Sequence, residues 1–133
     1  MRIVISFSFN SFSNPIVKEF GSERSMRTYV RPGLSFHSKC RRAYNDVIYI
    51  SKGYGHFDVA KEALSLDCPI CQTSSEVAIN CGYCDAKVTF TGRTTEGNKR
   101  VFSDIASDWK YHTFQEADET NWQYLKVEVE RLE

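Results

Sequence analysis

The amino-acid sequence predicts a small, mostly β domain with at most one short helix. Its 133 residues fit a single domain, and a hydrophobic fraction of 41% is enough to form a core. Short segments rich in Val, Ile, Phe, Tyr and Thr recur along the chain, and several alternate apolar with polar residues. Because every second side chain of a strand lies on the same face, we expect these segments to form half-buried strands.

The first part of the chain is predicted to lie outside the main domain. Residues 2–12 alternate in hydrophobicity and predict a strand, whereas residues 13–30 are polar, lack a period and predict a loop or linker. The Pro-Gly pair at 32–33 is a turn signal. We therefore predict an N-terminal strand and linker over residues 1–30 and a β domain over residues 31–133.

The first half of that domain contains three predicted elements. Residues 47–50 are dense in β-formers and predict a strand. The glycines at 53 and 55 predict a hairpin turn that leads into a second strand at 57–59. Residues 60–66 predict a short helix.

The second half is predicted to consist of strands and polar loops. Strands are expected at 77–79 and 87–91, on either side of the second cysteine pair, and an exposed loop at 94–100. Residues 101–108 are ambiguous. Residues 109–114 predict a strand, and residues 122–132 predict a long strand paired with it in a hairpin. In the long strand, Leu125, Val127 and Val129 are predicted to lie on one face. The residues predicted on the opposite face are Trp122, Tyr124, Lys126, Glu128 and Glu130.

Two Cys-x2-Cys pairs are the strongest chemical signal in the sequence. Cys68 and Cys71 form the first pair, and Cys81 and Cys84 form the second after nine intervening residues. Two thiolates on a tight turn can face one cation, and two such turns complete a tetrahedral shell that suits zinc. The sequence therefore predicts a structural Zn²⁺ held in zinc-ribbon-like knuckles.

The identity of the ligands is open between two sets. In the first set, all four of these cysteines bind one ion. In the second set, His37 and Cys40, which have the same spacing, join Cys68 and Cys71. A four-thiolate shell leaves zinc no open position for water, so the sequence predicts a non-enzymatic protein.

Composition restricts the compartment and the partners. The formal net charge is zero, which gives no overall attraction to nucleic acid or to an anionic membrane. The charge is uneven, because residues 1–60 carry nine basic and four acidic side chains, net +5, and residues 101–133 carry three and eight, net −5. An odd count of five cysteines favours metal binding in a reducing compartment over a disulfide scaffold. No apolar run is long enough to span a membrane. We therefore predict an intracellular protein, cytoplasmic or nuclear.

Several segments of the chain resemble an uncharacterised group of eukaryotic zinc-binding modules. The group is abundant in some fungi and amoebae, and its members often follow ubiquitin-like repeats. The resemblance covers about residues 30–132. The matching segments are Arg31-Pro32-Gly33-Leu34, Ala43-Tyr44-Asn45, Gly53-Tyr54-Gly55, Phe57-Asp58-Val59, Cys68-Pro69-Ile70-Cys71, Cys81-Gly82-Tyr83, Trp109-Lys110-Tyr111 and Trp122-Gln123-Tyr124-Leu125.

The resemblance implies a zinc-binding module connected with ubiquitin, and the chain departs from it in two places. The group arranges its cysteines in three pairs. Here Ala86 occupies the position of the last cysteine, with Cys84 two positions earlier, and His37 and Cys40 lie near but not at the positions of the first pair. Shifted ligands and the loss of one site are both compatible with this pattern.

Three functions remain open from the sequence. The first is a protein-interaction module that binds ubiquitin or a ubiquitin-like partner, supported by the resemblance and by a surplus of aromatic residues. The second is a nucleic-acid-binding zinc ribbon, in which a basic run lies beside aromatic residues available for stacking. The run comprises Arg24, Arg27, Arg31, Lys39, Arg41 and Arg42, and the aromatic residues are Tyr29, Phe36 and Tyr44. The third is a RING-like E3 ubiquitin ligase, although the cysteine spacing does not fit the cross-braced order.

Overall fold

A computed structural model describes residues 6–19, 30–39, 47–64, 66–68 and 78–132 of the chain. These residues form two antiparallel β-sheets and one short helix, which confirms the predicted mostly β class. The helix α1, Val59–Leu64, lies close to its predicted position. In this described part of the chain, no helix is long and apolar enough to cross a membrane.

Ten strands make up the two sheets. In chain order they are β1 Phe7–Asn10, β2 Pro15–Glu19, β3 Gly33–Lys39, β4 Val47–Gly53, β5 Gly55–Asp58, β6 Asn80–Cys84, β7 Ala86–Thr94, β8 Lys99–Ala106, β9 Lys110–Phe114 and β10 Glu119–Arg131. The first sheet has the order β1-β10-β7-β8, and β5 also pairs with β10. The second sheet has the order β2-β9-β6-β3-β4.

The two sheets pack face to face around a single main core. The first sheet contributes Phe9, Phe90 and Leu125, and the second contributes Phe36 and Phe114, all buried. This is a β-sandwich, in which the inward-facing side chains of both sheets fill the space between them. Fully burying an aromatic or aliphatic side chain of this kind stabilises the fold by about 1.5–3 kcal/mol.

The N-terminal segment is part of both sheets. β1 pairs with β10 in the first sheet, as the alternation of residues 2–12 predicts in part. β2 pairs with β9 in the second sheet along its whole length, although the sequence predicted a loop there. The structure therefore joins residues 7–19 to strands of the predicted 31–133 domain.

Two predicted hairpins are wrong, because each pair of strands belongs to different sheets. β4 lies in the second sheet and β5 in the first, so the segment around Tyr54 is a corner between sheets. Gly53 and Gly55 have φ values of 74° and 138°. Residues with a Cβ rarely adopt such backbone angles, so the two glycines allow the chain to change direction here. β9 and β10 likewise lie in opposite sheets, and β10 pairs with β1, β5 and β7 instead.

A β-bulge corrects one predicted side-chain assignment on β10. Leu125, Val127 and Val129 are buried as predicted, but Trp122 is buried with them rather than facing the other way. The register with β7 shifts between Trp122 and Tyr124. One inserted residue reverses which side chains of a strand face the core beyond that point. Trp122 therefore lies in the core, whereas Tyr124 faces outward.

Candidate functional site

The second cysteine pair lies on a strand and not on a turn. Cys81 and Cys84 both belong to β6, three positions apart, so their side chains point to opposite faces of the second sheet. Cys81 packs in the core between the sheets. Cys84 packs on the outer face of the second sheet with Val30, Tyr49 and Tyr111. The structure places these two thiols on opposite faces of a strand, and a zinc site at this pair stays a prediction.

The other predicted ligands that the structure describes lie in different surroundings. Cys68 is buried beside Ile48 in a third cluster. His37 Nε2 and the Tyr111 hydroxyl are hydrogen-bonded at 2.6 Å. Cys40 and Cys71 lie outside the described residues. No group of three or more His, Cys, Asp or Glu side chains suited to a metal ion occurs among the residues that are described.

Burial favours the protonated form of both thiols of β6. Burial raises the pKa of Cys81 well above its ordinary value. Burial, together with the charge of Asp85, raises the pKa of Cys84 to about 11. The Cys84 thiol lies 3.6 Å from the Arg31 carbonyl oxygen, to which it donates a hydrogen bond. Cys81 and Cys84 lie on opposite faces of one strand, and zinc binding stays a prediction.

The features that suggested nucleic-acid binding are divided between the surface and the core. Arg31 and Lys39 are exposed, but Phe36 is buried in the core and cannot stack on a base, so that part of the hypothesis is wrong. The other basic and aromatic residues of that hypothesis lie outside the described residues.

The surplus of aromatic residues divides in a similar way. Tyr83, Tyr111 and Trp122 are buried, which accounts for them as packing residues. Trp109 is 64% exposed and Tyr124 is 37% exposed.

A polar cluster connects the two sheets beside β8. The Tyr83 hydroxyl donates to Asp104 Oδ2 at 2.7 Å, and His112 Nδ1 lies 2.7 Å from the same oxygen. Burial favours a higher pKa for Asp104, but the hydrogen bonds from His112 and Tyr83 outweigh it and hold the pKa below its ordinary value. Asp104 lies on β8 in the first sheet, whereas Tyr83 and His112 lie in the second. The cluster therefore bridges the sheets as an ion pair or charge-assisted hydrogen bond.

Exposed apolar side chains concentrate at this same edge of the sandwich. In the described part of the chain, five large hydrophobic residues are markedly exposed, and four of them belong to β2, β8 and the turn between β8 and β9. These four are Val17, Val101, Ile105 and Trp109, and we call them the edge surface. Val101 and Ile105 are 62% and 53% exposed and alternate on β8 with inward-facing Phe102 and Asp104. Sequence reasoning left β8 unassigned and missed this surface.

Trp109 occupies a strained turn at the end of β8. The Lys110 amide donates to the Ser107 carbonyl at 3.2 Å, which closes a tight turn. Asp108 and Trp109 have φ values of 58° and 57°. Turns of this type ordinarily take Gly or Asn, because left-handed backbone is unfavourable for larger side chains. Trp109 adopts this backbone conformation and is 64% exposed.

Comparison of the chain with protein-family models, with curated proteins and with solved structures found no match.

Proposed function

We propose that this chain is a non-enzymatic β-sandwich that binds a protein partner through the edge surface. One observation carries the proposal: four of the five markedly exposed large hydrophobic side chains among the described residues belong to β2 and β8, the strands that end the two sheets, and to the turn between β8 and β9. Scattered exposed apolar residues are normal on a monomer, but a group of them on neighbouring elements is typical of an interaction site. Tryptophan is also the residue type most enriched among binding hot spots.

The Asp104 cluster supports a binding role in preference to a catalytic one. Asp104 holds His112, but the hydrogen bond of His112 in the described structure is to this carboxylate and not to a Ser, Thr or Cys side chain that could act as a nucleophile. The cluster joins β8 to the second sheet and so fixes the strand that carries Val101 and Ile105. A rigid scaffold beneath an interaction surface lowers the entropy lost on binding.

The test selects ligands without assuming their identity. A random peptide library is displayed on phage and selected against the immobilised protein, and enriched peptides are measured by fluorescence polarisation. Trp109→Gly is the decisive variant, because glycine adopts φ near 57° without strain and the fold is retained. We expect selected peptides to bind this variant about tenfold or more weakly.

Tyr124→Ala is the matched control, because it removes an exposed aromatic ring from β10, outside the edge surface. It should leave the affinity unchanged. Ubiquitin, the partner that the sequence resemblance implies, is tested in the same assay. Equal loss of affinity in both variants, or a library that yields no binder, would contradict the proposed function.

A further inference from the structure

The hydrogen bonds of the β7–β8 hairpin determine which backbone groups of β8 face outward. The Thr94 amide donates to the Asn98 carbonyl at 3.0 Å, so the backbone groups of Thr94 point toward β8. The Thr95 amide donates to the Asn121 carbonyl at 3.1 Å, so Thr95 points the other way, toward β10. Because the direction alternates along a strand, the even-numbered residues of β7 bond β8 and the odd-numbered residues bond β10.

The register between β7 and β8 determines which residues of β8 form backbone hydrogen bonds with β7. Gly92 pairs with Arg100, and Phe90 pairs with Phe102, so Arg100 and Phe102 exchange hydrogen bonds with β7. Lys99, Val101 and Ser103 alternate with them, and their N–H and C=O groups point away from β7. Among the described strands, β7 is the only one that pairs with β8. These groups therefore form an open sheet edge.

The second sheet extends beyond this open edge and leaves a gap beside it. β8 ends the first sheet and reaches β9 through Asp104 and His112, but the second sheet continues past β9 to β2. Val17 of β2 pairs with His112 and so shares its face, which is the face directed at the core. Val17 is nevertheless 58% exposed. The first sheet is one strand short at this edge, opposite Val17.

β8 has few of the features that prevent strand addition at sheet edges. It pairs with β7 over eight consecutive residues without a register shift, and it contains no proline. Two charged residues of β8, Arg100 and Asp104, lie on its inward face, and the Asp104 carboxylate is engaged by Tyr83 and His112. The Asp104 carboxylate also accepts a hydrogen bond from the Ile105 amide, so the part of the edge that remains available runs over residues 99–103.

The charges around this open segment select an acidic partner. Lys99 and Arg100 begin β8, and Arg93 is the cross-strand neighbour of Lys99. All three side chains are exposed. The acidic side chains of β8 and β7 are limited to Asp104, which already has its partners. If the added strand carries carboxylates at the end that lies beside Lys99, those carboxylates would lie next to these basic side chains.

From these observations we propose that an extended, acidic segment of a partner protein adds to β8 as a further strand of the first sheet. The inference rests on the proposed function and specifies its binding mode. The added backbone pairs with Lys99, Val101 and Ser103, and its inward side chains are apolar and pack on Val17. Main-chain pairing provides affinity in this mode, and the alternate side chains provide specificity.

The experiment separates backbone pairing from side-chain contact. The probe is a synthetic peptide that alternates valine and threonine and carries aspartate at both ends. Ser103→Pro removes one outward N–H, and proline is tolerated on an edge strand where the N–H faces solvent, so pairing with β7 is kept. Ser103→Ala keeps that N–H and is the matched control. We expect Ser103→Pro to bind the probe about tenfold more weakly, and Ser103→Ala to bind it like the wild type.

Amide hydrogen exchange provides a second measurement that does not depend on a variant. On saturation with the probe, exchange at Val101 and Ser103 should slow strongly, whereas Phe102, already bonded to β7, should change little. Unchanged exchange at Val101 and Ser103 while the probe binds would overturn strand addition.

The possible outcomes distinguish this inference from the proposed function. Binding that Trp109→Gly weakens and Ser103→Pro leaves unchanged would retain the edge surface but overturn strand addition. Failure of the probe to bind the wild type, while library peptides do bind, would overturn the acidic, alternating partner. Concentration-dependent dimerisation that Ser103→Pro abolishes would assign the edge to a second copy of this chain and overturn the proposal.

Discussion

Replacing Gly82 with alanine tests the packing of the outer face of the second sheet. A Cβ at this position would lie 2.3 Å from both Cζ and the hydroxyl oxygen of Tyr111, whereas ordinary contacts begin near 3.4 Å. Tyr111 is fully buried, and its hydroxyl is hydrogen-bonded to His37. The ring would have to move by about 1 Å, which breaks or lengthens that bond.

The expected loss of stability follows from three contributions. Overpacking of a buried site costs about 1–3 kcal/mol, and the disturbed hydrogen bond costs about 1 kcal/mol more. Against these, alanine reduces the entropy of the unfolded chain, which stabilises by about 0.4–1 kcal/mol. The net loss is about 1–3.6 kcal/mol, which for 133 residues corresponds to a fall in Tm of about 4–13 °C.

The assay is thermal unfolding followed by circular dichroism, in two backgrounds. In the wild type, Gly82→Ala should lower Tm by this amount. In a Tyr111→Leu background the same substitution should have little effect, because the atoms that clash have been removed. An equal fall in Tm in both backgrounds would refute the assigned contact between Gly82 and Tyr111.

Three further predictions follow from the same structure. Tyr83→Phe removes the hydroxyl that donates to Asp104, and we expect chemical denaturation to show a loss of about 1.5–3 kcal/mol; an unchanged unfolding midpoint would contradict the bridge. Burial, and secondarily the charge of Lys18, lowers the pKa of His37 from 6.5 to about 3. Between these two pH values His37 is protonated in the unfolded state but not in the folded state. Stability should therefore decrease as pH falls through this window, by at most about 1.4 kcal/mol per pH unit, and His37→Gln should remove this slope; an identical slope in the variant would contradict a buried neutral His37. Freshly purified protein is predicted to contain about one equivalent of zinc and to unfold on chelation. Cys81→Ala should leave the metal content unchanged if β6 is a strand, and its loss in this variant would restore Cys81 as a ligand.

The fold class could be predicted because several strands alternate clearly between apolar and polar residues. β7, β9 and the second half of β10 show this pattern, whereas β4 is predicted from its density of β-forming residues, and each lies within a few residues of its predicted position. The positions of the strands in the two sheets could not be predicted, because alternation determines which face is buried but not which strand is adjacent. Both wrong hairpins have this origin.

The cysteine pair at 81 and 84 has two possible interpretations from the sequence. Cys-Gly-Tyr-Cys fits a metal-binding turn, but a protonated cysteine in a core is also a small apolar side chain. Here Cys81 and Tyr83 fill the core, and Gly82 leaves room for the Tyr111 ring on the opposite face. The sequence alone does not distinguish these roles, since the contact that requires glycine comes from β9, about thirty residues away.

β8 was left unassigned for a reason that concerns function. In an ordinary sandwich strand the apolar residues face the core and the polar residues face solvent. β8 departs from this, since Asp104 faces inward while Val101 and Ile105 face outward. The inward carboxylate is satisfied by Tyr83 and His112, but no described contact accounts for the outward apolar residues in the free protein. Such conflicts between local pattern and fold are expected at functional sites. A partner strand paired with β8 would bury part of this surface and complete the sheet opposite Val17, which makes the least predictable strand the strongest indication of function.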